Sequence, residues 1–536
     1  MLTPIHVHSN YSLLEGTIDI SSLIGKVKSF GLSSISLTDT NGMYGLIEFS
    51  KKAAEAKIKP VLGTFIDDEN DKETYALFLA KNLEGYGDIC KIITTKKLKE
   101  DFSLINLMQS YFPNLFIITN SLKLLKNIPR YDNIYAELIS TKAKRSRTKE
   151  VYNYAVQNSI PFVATNPIYF LNEEDFLIHK VVTAIKNRET ISNLDEKNLV
   201  DKEFYFKDPK DTFKLWSSIP DAVKNLNYII ENCDVDLQLG KFKFPLFQSS
   251  SHEDSFSLLW NLSFEGLRKR YDIITKRIQD RLVEELEVIR DMGFTDYFLV
   301  VWDISKEAKR RGMMTIGRGS AANSIVSYCL GFTEVDPIKY NFYFQRFLNK
   351  SRTSPPDIDI DFSWRERDGI IKYVFEKYGY EKVAMISTHV TFKARSAFRE
   401  TAKTFGKSDS EISKLSKFIP WTDARNLPNV AELFPESKSL KFNEEPWSSI
   451  VKIAAKMANF PRHLSIHPGG IVISPTHITN YTALEYAKNK GLGLIVTQPD
   501  MHGIEDLGLV KIDLLSQRSL GVLRDTIKQI ENNSVN

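Results

Sequence analysis

The residues most able to do chemistry in this chain lie in Pro356-Asp357-Ile358-Asp359-Ile360-Asp361-Phe362. A strand sends alternate side chains to opposite faces, so the three aspartates share one face and Ile358, Ile360 and Phe362 the other. The apolar face suits a core. The acidic face calls for a positive partner, because Asp is depleted in strands and like charges at this spacing repel. A divalent cation held by oxygen ligands answers that demand, and a polar strand on a solvated face is the alternative. Upstream, Ile316-Gly317-Arg318-Gly319-Ser320-Ala321-Ala322-Asn323-Ser324 has the layout of a phosphate-cradling turn opening a helix, with Arg318 as a forked donor. The same letters also suit an ordinary turn. Downstream, Gly508-Leu509-Val510-Lys511-Ile512-Asp513-Leu514-Leu515 is an apolar strand with Lys511 and Asp513 on one face, either a site or a simple ion pair. Two carboxylates from one strand and a third from another hold two metal ions roughly 4 Å apart in in-line phosphoryl transfer. Together the three stretches describe nucleotidyl transfer.

The elements that must position these residues are those of a multidomain α/β and α+β protein. At 536 residues the chain is long enough for about three or four domains. Its 42% hydrophobic and 26% charged content is that of ordinary globular protein. A net charge of +4 neither requires nor excludes nucleic acid, since a local groove matters more than the total. Cys90, Cys233 and Cys329 are scattered without metal-ligand spacing and suit a reducing cytosol. No apolar run approaches a membrane span and no signal pattern opens the chain, so a cytoplasmic protein with no membrane partner is expected.

Residues 1–245 read as alternating strands (Ser34–Leu37, Pro161–Ala164) and helices (Ile47–Ala56, Lys149–Gln157). Ile5-His6-Val7-His8-Ser9 places two histidines on one strand face, and Asp39 ends another strand; the set suits a metal or a pair of structural histidines. His179 reads as a partly exposed helix residue rather than a ligand. From Asp254 to Gly312 the pattern is helical, with Leu282, Leu286, Ile289 and Met292 on one face. Arg310 and Arg311 close a helix, where they suit its dipole or contact DNA. Residues 393–468 are helical and basic, with a loop over Trp421–Glu445. There Lys393, Arg395, Arg399, Lys403 and Lys407 recur near helical spacing and form either a solvated face or a phosphate-backbone contact. His467, in Ile466-His467-Pro468-Gly469-Gly470, supports the active-site backbone or a phosphate, or is a buried structural histidine.

The run Met292-Gly293-Phe294, Tyr297-Phe298-Leu299, GRGSAANS, Arg346-Phe347-Leu348-Asn349, Arg352 and PDIDIDF resembles the catalytic α subunit of bacterial DNA polymerase III. His467-Pro468-Gly469-Gly470 and Val510-Lys511-Ile512-Asp513 extend the match in order over essentially the whole chain. The resemblance implies template-directed addition of deoxynucleoside triphosphates to a primer, with Asp357, Asp359 and Asp513 as catalytic residues holding two Mg2+ ions. It implies nucleotide binding by Arg318, Gly319, Ser320, Arg346, Arg352 and Lys511, and leaves the role of Asp361 open. It implies a PHP-type β/α barrel-like domain (1–245), a nucleotidyltransferase-like palm with its helical lead-in (246–392), a helical thumb (393–468), a second palm part (469–520) and the start of a connection to fingers (521–536). The thumb position favours DNA contact by the basic helix. Primed DNA, other replicase subunits and a C-terminal polymerase portion in trans are the implied partners. Where active PHP domains carry metal ligands, this chain has Thr40, Phe65, Pro167 and Tyr169, which implies a metal-free domain in which His6, His8 and Asp39 are remnants. A catalytically incomplete DNA-binding or assembly fragment, and a PHP-type phosphoesterase, are the competing readings.

Overall fold

Six short runs of almost unbroken apolar residues in the N-terminal part form the strands β1 (Ser34–Leu37), β2 (Lys59–Asp67), β3 (Tyr75–Ala80), β4 (Leu115–Thr119), β5 (Ile134–Ile139) and β6 (Phe162–Thr165), hydrogen-bonded in that order. Such runs suit strands covered on both faces, and nearly every residue in them is buried. Pairing is parallel for β1/β2, β4/β5 and β5/β6 and antiparallel for β2/β3 and β3/β4. The opening segment lies between the two edges of this sheet. On one side Ser36 N–H and Thr38 N–H donate to the carbonyls of Pro4 and Val7; on the other His8 N–H donates to Ile168 O and Ile168 N–H to His6 O. The sheet therefore curls into a barrel-like wall. Residues 5–9 read as a strand in the sequence, but only Val7 forms a bridge, because the two flanking edges divide the segment's backbone groups between them. The computed structural model describes residues 1–69, 71–247, 254–349, 356, 358–487 and 493–534.

Two compact units emerge, the first comprising Met1–Leu237, Thr388–Ser465 and Thr482–Glu485. Within it the basic helical insertion closes at its base, where Phe392 N–H donates to Phe460 O and Asn459 N–H to Phe392 O. The helices Ala394–Thr404 and Trp447–Lys456 bury Ala397, Phe398, Ile450 and Val451 in a core completed by Ile178, Val181, Val182 and Ile185 of the helix Phe176–Asn187. Sequence patterning gave no sign that these segments share a core.

The second unit comprises Gln238–Ser387, Ile466–Tyr481 and Tyr486–Asn536. Its helices Lys276–Asp291 and Thr295–Arg310 bury Leu282, Leu286, Ile289, Phe298, Val301 and Ile304, as the apolar spacing predicts. Arg310 and Arg311 both donate to the Glu307 carboxylate within 2.6–2.7 Å, and Arg311 also to Gly369 O. The sheet uses β7 (Thr315–Arg318), β8 (Asp359–Ser363), β9 (Val383–Thr391), β10 (Pro461–Ile473), β11 (Leu484–Tyr486), β12 (Ile495–Asp500) and β13 (Lys511–Gln517), in the order β11-β12-β9-β10-β13-β8-β7. Ile358, Ile360 and Phe362 turn into the core, as alternation requires. Among the described residues no helix is long and apolar enough to cross a membrane.

Candidate active site

The registers of three neighbouring strand pairs put the chemistry in one row. Arg318 of β7 lies opposite Asp359 of β8, Asp359 opposite Asp513 of β13, and Asp513 opposite Gly470 of β10. Directly opposite residues share a face, so Asp359 and Asp513 project side by side from adjacent parallel strands. Asp361 is on the same face two residues along, where its neighbours are Ile316 and Leu515 rather than a second carboxylate. Asp357 and Arg352 lie outside the described residues.

Lys511, two positions before Asp513, places its Nζ 2.9 Å from Asp513 Oδ2. At the other end, Arg318 Nε is 3.7 Å from Asp359 Oδ2 and 3.5 Å from Asp361 Oδ1. Oδ1 of Asp361 and of Asp513 accept no hydrogen bond among the described residues, an arrangement costly for a buried acceptor unless a cation or water supplies the partner. Burial raises the Asp361 pKa, against the pull of Arg318 and a hydrogen bond from Gln517. Among the described residues no three carboxylate, histidine or cysteine side chains stand together as a metal-binding group; Asp359 and Asp513 are two oxygen donors of the kind a hard divalent cation takes.

His467 holds the far end. Its Nδ1 accepts the N–H groups of Gly469 and Gly470 at 3.3 and 2.7 Å, which assigns the ring proton to Nε2, and the same atom is 3.8 Å from Asp513 Oδ1. Burial lowers the His467 pKa; Asp513 opposes this, and Lys511 and Arg367 add to it. Of the alternatives read in the sequence, this is the backbone-supporting one. A Cβ at Gly470 would stand 2.9 Å from that nitrogen and 3.4 Å from Asp513 Oδ1, so the close approach leaves no room for a side chain. Arg367 then joins the turn to β13, donating from Nε to Leu514 O at 2.7 Å and from its other arm to Pro468 O at 2.6 Å. Nothing in the sequence singled out Arg367.

The glycine turn is built differently from the expected helix N-terminus. Gly317 sits so close under the chain that a Cβ would meet Phe332 O at 1.9 Å, and Gly319 has φ +74°, where glycine is favoured. A 3-10 turn, Gly319–Asn323, follows, and then a helix of only six residues, Ile325–Leu330. The N-terminus of that helix is already occupied: the fully buried Glu285 accepts Ser324 Oγ–H at 2.7 Å and Val326 N–H at 3.3 Å. A helix dipole aimed at phosphate is therefore not what this turn offers. Gly319 borders Asp359, since a Cβ there would be 3.7 Å from Asp359 Oδ2, and Ser320 follows it in the turn. Glu285 is paired with Arg281, whose Nε is 2.6 Å away and whose other arm donates to Asn323 O and Phe342 O. A glutamate on the apolar stripe between Leu282 and Leu286 was the available signal. Arg346 is exposed at the end of a 3-10 turn, Phe344–Arg346, that packs against Gly319–Asn323.

In the first unit the histidine pocket is lined by aromatic rings. His6 Nδ1 is 2.7 Å from Glu137 Oε1, and Glu137 also accepts Tyr75 Oη–H at 2.6 Å and Thr165 Oγ–H at 2.9 Å. Burial pushes the Glu137 pKa up, but His6 and these hydrogen bonds outweigh it and leave it lowered. Tyr169 stacks on His8 at 3.9 Å between centroids, and Phe65 meets His8 edge-on at 5.3 Å. Burial, reinforced by His6, drives the His8 pKa well down. Asp39 accepts Ser9 N–H, Ser9 Oγ–H and Ser12 Oγ–H at 2.7–2.8 Å; burial, opposed by those bonds, raises its pKa to about 6. His179 differs from expectation: it is 1% exposed, donating from Nδ1 to Glu15 O at 2.8 Å and accepting Val200 N–H at Nε2 at 3.1 Å. Its place on the inward stripe of Phe176–Asn187, with Val182, explains the burial.

Of the basic residues of the insertion, Arg395, Arg399 and Lys403 share one helix face, while Lys393 caps the helix and Lys407 lies beyond it. Lys393 Nζ reaches Asn459 Oδ1 at 2.5 Å, Arg395 donates to Ile419 O, Arg399 to Ser413 and Ser416, and Arg399 and Lys403 both face Asp409 at 3.7 Å. Lys407 lies over the Trp447 ring at 5.5 Å.

Residues 257–516 match the bacterial DNA polymerase III alpha NTPase domain, and residues 4–155 match the PHP domain. The DNA polymerase III subunit alpha of Bacillus subtilis is 32% identical over 98% of this chain and 49% of its own length. That of Borreliella burgdorferi is 34% identical over 97% and 49%. An error-prone DNA polymerase of Symbiobacterium thermophilum is 31% identical over 98% and 52%. The chain thus spans about half the length of the curated relatives it matches.

Proposed function

The chain belongs to the bacterial DNA polymerase III alpha family, and from that premise we propose that its second unit adds deoxynucleotides to a primer 3′ end under the direction of a DNA template. The observation that carries this is the row Arg318–Asp359–Asp513, which sets two carboxylates side by side between two cationic side chains. Asp359 and Asp513, with Asp357, would hold Mg2+ ions, which when bound supply activation of the primer oxygen and stabilisation of the leaving oxygen. The chain's own residues do the rest. Lys511, Arg318, Arg346 and Arg352 offset the triphosphate charge, and the Gly319–Ser320 backbone permits its close approach. His467 and Arg367 fix the turn that keeps Asp513 in register with Asp359.

The insertion, read as a thumb with 246–392 and 469–520 read as palm segments, presents Arg395, Arg399 and Lys403 to the phosphate backbone of primed DNA, with Lys393 and Lys407 at the margins of that face. The PHP segment serves as a metal-free structural domain: the Asp39 oxygens are occupied by Ser9 and Ser12, and the Phe65 and Tyr169 rings pack on His8. Those same packed rings weigh against a PHP-type phosphoesterase. Cytoplasmic residence agrees with three buried, unpaired cysteines. A second reading is a DNA-binding or assembly fragment that needs further polymerase sequence and replicase subunits to act, with which the half-length match is equally consistent.

Primer extension with magnesium and all four deoxynucleoside triphosphates tests the choice. Extension by the wild type and none by Asp513→Asn, with primed DNA still bound, is the expected result. Equal extension by both proteins would overturn the site. Binding without extension by either would select the second reading.

A further inference from the structure

Asp361 is the carboxylate that the row leaves over. It stands two residues, about 6.6 Å, along β8 from Asp359 and so beyond the level at which Asp513 contributes. Its opposite neighbours are Ile316 and Leu515, neither of which can share a cation with it. It is also the more deeply set, with its side chain 9% exposed against 23% for Asp359. What it does face is Arg318, whose Nε lies 3.5 Å from Asp361 and 3.7 Å from Asp359, on a side chain that is half exposed. Among the described residues, Arg318 stands against Asp359 and Asp361 and Lys511 against Asp513.

From this geometry we infer that Asp361 is the seat of Arg318 rather than a metal ligand: it holds the guanidinium as a counter-cation against Asp359 and retains it beside the Gly319–Ser320 turn when a divalent cation takes Asp359. The inference rests on the proposed polymerase site and names a positioning residue within it. A divalent cation held by Asp359 and Asp513 would repel a guanidinium at this range, and among the described residues Asp361 is the carboxylate then left beside Arg318. That arrangement keeps its donors close to the turn. It also makes cation binding and the Arg318–Asp359 contact mutually exclusive, so the two must be coupled.

The coupling is measurable without catalysis, by titrating the whole chain with Mn2+ and reading free Mn2+ by electron paramagnetic resonance. Arg318→Gln is expected to bind Mn2+ at least about threefold more tightly than the wild type, because the competing charge is gone. Asp361→Asn alone weakens binding, since Arg318 then falls wholly on Asp359. In the Arg318→Gln background the same Asp361→Asn change costs less than about threefold, so the cycle is non-additive. Were Asp361 a ligand, its loss would cost about tenfold or more in both backgrounds; that additive result overturns the inference. Asp359→Asn separates the two levels. Loss of Mn2+ binding there with an additive cycle removes only the role of Asp361, whereas Mn2+ binding unaffected by Asp359→Asn removes the metal site and the inference with it. Thermal melts of each variant confirm that folded protein is being compared.

Discussion

Glu285→Ala is expected to destabilise the second unit by about 3–5 kcal/mol, the usual cost of removing one partner of a buried ion pair. Glu285 is 0% exposed and receives Arg281 Nε–H at 2.6 Å, Ser324 Oγ–H at 2.7 Å and Val326 N–H at 3.3 Å. Alanine leaves the guanidinium without its carboxylate and unties the first turn of the Ile325–Leu330 helix, while Arg281 is also the donor to Asn323 O at the end of the Gly319–Asn323 turn. For a unit of this size that loss corresponds to a melting-temperature drop of roughly 6–20 °C. Glu285→Gln keeps an acceptor and the side-chain volume, so it costs less. Burial, only partly offset by Arg281 and Ser324, raises the Glu285 pKa above its ordinary 4.5. The native state therefore holds a proton that the unfolded chain has released, and the group's contribution to stability falls as pH rises above 4.5 through the native pKa. The glutamine deficit should accordingly shrink as pH rises through that window. Urea unfolding followed by circular dichroism at several pH values reads both effects. An alanine variant within about 1 kcal/mol of the wild type would refute the capping argument.

Other expectations follow from particular contacts. Gly317→Ala drives a Cβ to 1.9 Å from Phe332 O and should shift β7 against β8, costing about 3 kcal/mol or more in urea unfolding; a neutral change would contradict the register Arg318–Asp359. Asp39 titrates near 6 in the fold against 3.8 for the free carboxyl, so the native state binds the extra proton between those values. Stability should then fall as pH rises from about 4 to 6, by up to about 3 kcal/mol, and Asp39→Asn should flatten the profile; identical profiles would remove the buried-carboxyl argument. Removing Arg399 and Lys403 together should lower the slope of log affinity against log salt for primed DNA by about 2, whereas an unchanged slope would place the DNA elsewhere.

Alternation and spacing carried much of this architecture. The inward face of Ile358, Ile360 and Phe362, the apolar runs of β1 and β6 and the stripe Leu282–Leu286–Ile289 follow from patterning alone, and the motif order carried the family. What periodicity cannot encode is which strands become neighbours. The pairing of Asp513 with Asp359 and of Gly470 with Asp513 is a fact of register between segments more than a hundred residues apart in one case and some forty in the other. The same limit hid Arg367, whose partners are carbonyls of distant segments, and the core shared by the insertion and Phe176–Asn187. His6 and His8 flank a bridge rather than lie on a strand because two sheet edges compete for one segment. Glu285 shows a different failure: the glycine turn invited a dipole argument, and a carboxylate one helix away had already claimed that helix end.

Single-nucleotide incorporation tests the central claim most directly. Four primed templates differing only in the templating base are each offered one deoxynucleoside triphosphate at a time with magnesium, using the wild type and Asp359→Asn. The account predicts addition only of the complementary nucleotide by the wild type and none by Asp359→Asn, with the variant still binding the primed DNA. Complementary addition at equal rates by both proteins would contradict it.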